Sequence, residues 1–397
     1  MTLKVLELFG GIGACTAALK RLGIDIEVVD YVEIDKHAVA SYNAINGTDF
    51  KPQDVTKWDK DIKVDFVLHG SPCQDFSLAG LQKGGDEGSG TRSSLMYETL
   101  RIVKKLKPKY VVWENVANLL SQNHFHNFAN YINAMGELGY ASAYKVLNAK
   151  DYGIPQNRER VFTVSVLNGA TVDLFGSELD FKWPVPFELK VRLKDMLQDN
   201  PESKFYLSEK AIEGAKKTSF KTENLEMRLQ TGDVTRTLRA RDFKGPLLVP
   251  EKYYLSDKML QYCIANDEKQ KNKGNGFRFD PTSGDGTAKS ITIASGSRMD
   301  DNFVDVLGNY SPCEHNATRV IGTGGKMDDL RIRKLTPREC WRLMGRTDDE
   351  FEKAEKVCSD SQLYKQAGNS IVVDVLVYLF DELFRQYPIE RNENGQT

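Results

Sequence analysis

No apolar run in these 397 residues approaches membrane-spanning length, and neither sign of charge prevails, with 54 Lys and Arg against 56 Asp and Glu. The chain is therefore expected neither to span a bilayer nor to be drawn to a polyanion by its overall charge. Cysteine is scarce and scattered. Cys15, Cys73, Cys263, Cys313, Cys340 and Cys358 make no CxxC pair and have no histidine at ligand spacing. That argues against a disulfide framework and a metal site of the zinc type, and for a reducing cytoplasm. The start, Met1-Thr2-Leu3-Lys4-Val5, enters a strand at once, so no secretory leader is expected. With 40% apolar and 28% charged residues, the composition is that of a globular protein with room for one large α/β domain and a smaller one.

What is present is organised around Leu68-His69-Gly70-Ser71-Pro72-Cys73-Gln74-Asp75-Phe76-Ser77. Val64 to Leu68 predicts a short buried strand, stopped by Gly70, Ser71 and Pro72. A cysteine just past a parallel strand lies where open α/β sheets bind ligands. The stretch from Gly80 to Gly90 holds five glycines and is expected to move over whatever binds there. A lone intracellular cysteine is most often buried and inert, so the other motifs must decide.

Taken in order, Val5 to Phe9 predicts a strand, Gly10-Gly11-Ile12-Gly13 a tight turn, and Ala14 to Leu22 a helix ended by Gly23. A second strand, Ile26 to Glu33, precedes a helix capped by Asp35 and running to about Asn43. This βαβ layout with an acid some twenty residues downstream suits a nucleotide-type ligand, and Glu33 can take both hydroxyls of a ribose. Thr16 stands where a pyrophosphate fingerprint wants glycine, so an adenosine cofactor without pyrophosphate fits better. Asp54 reads equally as a partner for an adenine amino group or as a turn aspartate. Leu95 to Leu106 predicts a helix, and Lys109 to Val116 a buried strand that brings Glu114 to the same sheet edge as Cys73 and Glu33. His124 to Leu138 is a further helix, and Ala143 to Asn148 begins a strand. Arg158 and Arg160, two apart on an extended backbone, are expected to point the same way, toward a carbonyl oxygen or a phosphate. An internal pairing with Glu159 competes for one of them.

From about Asn168 strand and helix cease to alternate. Residues 181–280 hold 20 basic against 15 acidic side chains, an excess that a solvated surface explains nearly as well as a ligand does. Thr235 to Asp242 and Ser290 to Arg298 place Thr237, Arg239, Arg241, Ser295 and Arg298 on loops, with side chains of the kind that reach base edges and phosphates. Ile293 to Asp301 also resembles Ile321 to Asp329, a similarity that turn composition alone can produce. Order returns at Leu335 to Gly345, a helix with Thr336, Pro337 and Glu339 forming its capped start. Ile371 to about Phe384 is apolar nearly all round, so it should be buried and close the first domain.

The set Phe9 to Gly13, Gly70 to Gln74, Glu114 to Val116, Gln156 to Arg160, Arg333 to Gly345 and Gly368 to Ser370 resembles the DNA (cytosine-5) methyltransferase family, motif by motif and in order. The resemblance covers residues 1–166 and 331–397. It departs at Gly10, where the family more often has Ala, and at Ile34, where some members carry Trp. It implies an α/β, Rossmann-like methyltransferase domain with a mostly parallel twisted sheet (1-169), a smaller irregular β-rich target-recognition domain (170-330) and a return segment (331-397). It also implies S-adenosyl-L-methionine as cofactor and double-stranded DNA as partner, in a monomer, with a cognate restriction endonuclease as a conceivable companion. Cys73 would add to C6 of a flipped-out cytosine, Glu114 would protonate N3, Arg160 would hold O2 and Arg158 would support the site. The cofactor would lie against Phe9, Gly11, Ile12, Gly13, Glu33, Ile34, Asp54, Val55, Pro72, Leu95, Asn369 and Ser370. Gln74, Ser77, Lys83 and Arg92 would touch DNA. A tRNA methyltransferase of the same architecture, a nicotinamide oxidoreductase and an inactive DNA-binding module are weaker readings. The long middle region disfavours the first and Pro-Cys-Gln the second. A module without chemistry has no use for Cys73 beside Glu114.

Overall fold

Strand β1 (Leu3–Leu8) forms as an interior strand of the sheet because Leu3, Val5, Leu6 and Leu8 are apolar toward both faces, and all four are fully buried. The computed structural model describes residues 2–72, 95–168, 178–198, 201–205, 233–240, 248–251, 282–283, 304–305 and 331–389. After β1 come α1 (Ala14–Arg21), β2 (Ile26–Val32), α2 (Lys36–Asn46), β3 (Phe66–His69), α3 (Met96–Leu106), β4 (Tyr110–Val116), α4 (Phe125–Glu137) and β5 (Tyr140–Asn148). Next are β6 (Gln156–Asn157), β7 (Glu159–Leu167), the single-turn α5 (Leu193–Met196) and β8 (Thr235–Arg236). The chain ends in α6 (Pro337–Arg342), α7 (Asp348–Glu355), α8 (Asp360–Asn369) and α9 (Val373–Gln386).

Six strands form one sheet in the order β2-β1-β3-β4-β7-β5. Neighbours from β2 to β4 run parallel, and β7 is antiparallel to both β4 and β5. The expected mostly parallel sheet is therefore present, with β7 as its reversed member. The chain leaves β1 toward β2 on one side and returns to β3 on the other, which opens a crevice at the C-terminal ends of β1 and β3. One face packs Val5, Phe66 and Val112 against α1 and α9. The other packs Leu6, Val67 and Trp113 against α3 and α4.

Helices α6 to α9 share a buried core with α1 and one face of the sheet, but α9 is one-sided and not apolar all round. Val375, Leu376, Leu379, Phe380 and Leu383 are buried, while Tyr378, Asp381 and Arg385 face water. Helix α2 runs three residues past Asn43 and stops at Gly47, whose φ of 69° suits glycine. In the middle region the described strands are short, Leu248–Glu251 pairing antiparallel with Arg331–Lys334. Among the described residues no helix is long and apolar enough to cross a membrane.

Candidate active site

The turn after β1 needs left-handed backbone at Phe9 (φ 54°), Gly11 (φ 54°) and Gly13 (φ 77°). Among the described residues no atom lies within 4 Å of where a Cβ on Gly11 would stand, so a ligand can lie directly on the main chain there. Below the turn the packing is tight. A Cβ on Gly10 would come within 2.5 Å of the Tyr31 ring, which stacks on Tyr42 at 3.9 Å. Tyr31 also donates its hydroxyl to the Gly11 carbonyl. The glycine at this position thus follows from the tyrosine that fills the alanine's space.

Glu33, just past β2, accepts from Gly11 N (3.1 Å) and Asp35 N (2.8 Å). Burial raises its pKa, opposed by those two main-chain bonds. Ile34 beside it is 68% exposed, a large apolar side chain left in the open at this sheet edge. Asp54 makes the contacts of a turn aspartate, Oδ1 accepting from Thr56 N (3.0 Å) and Thr56 Oγ1 (2.8 Å), which does not preclude an adenine amino group as partner for Oδ2. Val55 is buried next to it, and Leu95 caps the start of α3.

At the end of β4, Glu114 pairs with Arg160 Nε at 3.0 Å. Gly70 enters the same space, where an added Cβ would stand 3.6 Å from both Glu114 Oε2 and Ile371 Cδ1. Burial lifts the Glu114 pKa above the usual carboxylate range, while the charges of Arg160 and Arg158 pull it down. A carboxyl held between these influences is suited to carry a proton to a ring nitrogen.

Both arginines act on Glu114 through their charge, but only Arg160 is ion-paired with it among the described residues. Arg158 lies between β6 and β7, outside continuous strand. Its buried guanidinium donates to the carbonyls of Leu238 (2.9 Å), Gly368 (3.2 Å) and Ser370 (2.8 Å). It is a fastener, and Arg160 is the arginine on Glu114. Arg160 Nη1 donates to the Glu159 main-chain carbonyl. Asn369 is exposed and Ser370 buried, with Ser370 Oγ donating to Ile371 O. Thr237 donates its hydroxyl to Asn157 O at 2.7 Å. Arg239 is half-buried beside it.

Cys73, Gln74, Ser77, Lys83, Arg92, Arg241, Ser295 and Arg298 lie outside the described residues, as do the glycine-rich stretch at 80–90 and the paired runs at 293–301 and 321–329. Gln156, quoted in the sequence only as the start of a motif, donates to Leu343 O (2.8 Å) and accepts from Leu238 N (3.0 Å). Sequence reasoning passed over Arg346, which donates to Ile12 O at 2.8 Å under the β1 turn. No local pattern marks Arg346.

Residues 3–385 match the model of the C-5 cytosine-specific DNA methylase family. The chain is 30% identical to the orphan methyltransferase M.SPRI of Bacillus phage SPR, over 98% of this chain and 99% of that one. It is 36% identical to the type II methyltransferase M2.ScrFI of Lactococcus lactis subsp. cremoris, over 81% of this chain and 67% of that one. In fold it resembles a DNMT2 mutant of Spodoptera frugiperda, with a TM-score of 0.61 at 19% identity over 96% of this chain and all of the other. A family match spanning nearly the whole sequence, on a sheet whose edge gathers Gly11, Glu33, Gly70 and Glu114, places the chain in the C-5 cytosine-specific DNA methylase family.

Proposed function

We propose that the protein transfers a methyl group from S-adenosyl-L-methionine to C5 of a cytosine flipped out of a specific duplex sequence, through transient addition of Cys73 to C6. The observation that carries this is the Glu114–Arg160 pair at 3.0 Å, set against Gly70 three residues before Cys73. A base in the duplex hides C6, so extrusion must precede attack. Thiolate addition at C6 turns C5 into a carbon nucleophile. Proton donation from Glu114 to N3 keeps charge from building on the ring, and Arg160 steadies both Glu114 and O2. Loss of the C5 proton and β-elimination then free Cys73.

The residues fit the cofactor. The open backbone at Gly11 can approach an adenosyl group, the fixed carboxylate of Glu33 can accept from ribose hydroxyls, and Ile34 offers an apolar surface for adenine. When bound, that group supplies an electrophilic methyl on a sulfonium. Residues 1–169 and 331–397 form the catalytic unit in this reading and 170–330 the part that reads DNA. The protein works as a cytoplasmic monomer, alone or beside a restriction endonuclease.

Duplex DNA carrying 5-fluorocytosine at the target keeps the C5 substituent from leaving, so wild-type protein with cofactor should form a denaturant-resistant adduct that Cys73→Ser cannot form. Methylation by the wild type without any such adduct would refute addition at C6.

A further inference from the structure

The strand that carries Glu114 also grips the chain leading into Cys73, and it does so from both sides. Side chains alternate along β4, so Trp113 and Asn115 face away from Glu114. On their side Trp113 Nε1 donates to Ser71 Oγ at 3.0 Å, and Asn115 Nδ2 donates to the Ser71 carbonyl at 3.3 Å. On the other side Gly70 runs against Glu114. Ser71 is 4% exposed and Trp113 1%.

The indole has no room to turn. It lies parallel to His69 with ring centres 5.6 Å apart, and against Tyr131 at 4.2 Å and Phe128 at 6.1 Å. His69 is fixed in turn by Tyr131 Oη (2.9 Å) and Thr99 Oγ1 (3.3 Å), and burial pushes its pKa down to about 3. It therefore stays neutral over any working range and serves as a rigid wall. A phenyl ring would fill the same apolar space without a partner. A buried indole N–H needs an acceptor, and here that acceptor stands two residues before the nucleophile.

We infer that Trp113 and Ser71 are positioning residues for the methyl transfer, their indole–hydroxyl bond fixing Ser71, two residues before Cys73 in the sequence, against the strand that carries Glu114. This rests on the covalent mechanism proposed above. Neither acts on the base directly; both act through the main chain of Ser71 and Pro72, from which the sequence continues to Cys73.

The test compares wild type, Trp113→Phe, Ser71→Ala and the double variant. For each, the rate of adduct formation with 5-fluorocytosine duplex, kcat, KM for DNA, cofactor affinity and Tm are measured. Each single change should slow adduct formation and kcat about 10-fold, within what a misplacement of under 1 Å costs, while KM and cofactor affinity stay put. The double variant should be no slower than Ser71→Ala, which already removes the bond that Trp113→Phe removes together with a longer one from Asn115 Nδ2 to Ser71 Oγ (3.4 Å). Singles that trap as fast as wild type, losses that multiply in the double variant, or kcat loss accompanied by equal changes in KM and cofactor affinity would each overturn the inference. A wild type that forms no adduct would instead remove the covalent mechanism and this inference with it.

Discussion

Glu7 shows how much one buried carboxyl can ask of a fold. It is fully buried beneath the β1 turn, accepting the Thr16 hydroxyl and, at 3.4 Å, that of Tyr42, while Oε2 has no hydrogen-bond partner among the described residues. Burial lifts its pKa to about 7, against the lowering pull of Thr16 and Arg346. The folded pKa lies above the unfolded one, so the native state binds the proton more tightly. The stabilising contribution is whole below the unfolded value near 4.5 and fades as pH rises to about 7. Glu7→Gln keeps the shape and removes the titration. Wild type should therefore lose about 3 kcal/mol relative to this variant between pH 4.5 and 7.5, read from urea unfolding at several pH values. A difference between the two that stays constant with pH would show that Glu7 does not titrate in this range. Tyr42 links Glu7 to the ring that packs below Gly10, so the turn's geometry and this proton share one network.

At the scale of elements, much was legible because caps and stops are local chemistry. Asp35 and Thr336 cap their helices as their sequences require, and α1 and α3 fall within a residue or so of expectation. Helix α7 was equally readable, since Thr347 and Glu350 make the same reciprocal capping box; its polar sequence hid it. Helix α8 was not readable. It contains Gly368, which reads as a stop, yet the glycine is there because residues 239–240 cross it so closely that a Cβ would stand 2.1 Å from their backbone. No pattern within ten residues reports a contact to a segment so distant in the chain. The same holds for Arg158, whose spacing from Arg160 suggested a shared target while its partners come from two remote stretches. Arg158→Met would leave the carbonyls of Leu238, Gly368 and Ser370 without this donor. The loss should cost about 3 kcal/mol, seen as a lowered urea midpoint, and methylation should fall with it as the strip at 233–240 loosens from Ser370. A variant as stable as wild type would show that other contacts hold that strip.

For the molecule as a whole, charge and substrate are at odds: a net charge of −2 must meet a polyanion if duplex DNA is the substrate. The sheet and its crevice followed from strand patterning, and the family from motif order. The DNA-reading surface did neither, because no periodicity marks which loop side chains face a groove. The excess of basic residues in 181–280 sits in the part proposed to read DNA, so attraction there must be local and not a property of the whole surface. Local contacts still displace counterions, and the salt response counts the phosphates engaged and ignores the net charge. Two or three neutralised phosphates would weaken DNA binding about 10-fold or more between 50 and 200 mM salt, whereas cofactor affinity, which depends on the Gly11 turn and Glu33, should barely change. Titrating labelled duplex and cofactor separately across that range tests the division. A flat response for DNA would mean that the middle region holds its partner without phosphate contacts, and a parallel loss for both ligands would mean that salt acts on the fold.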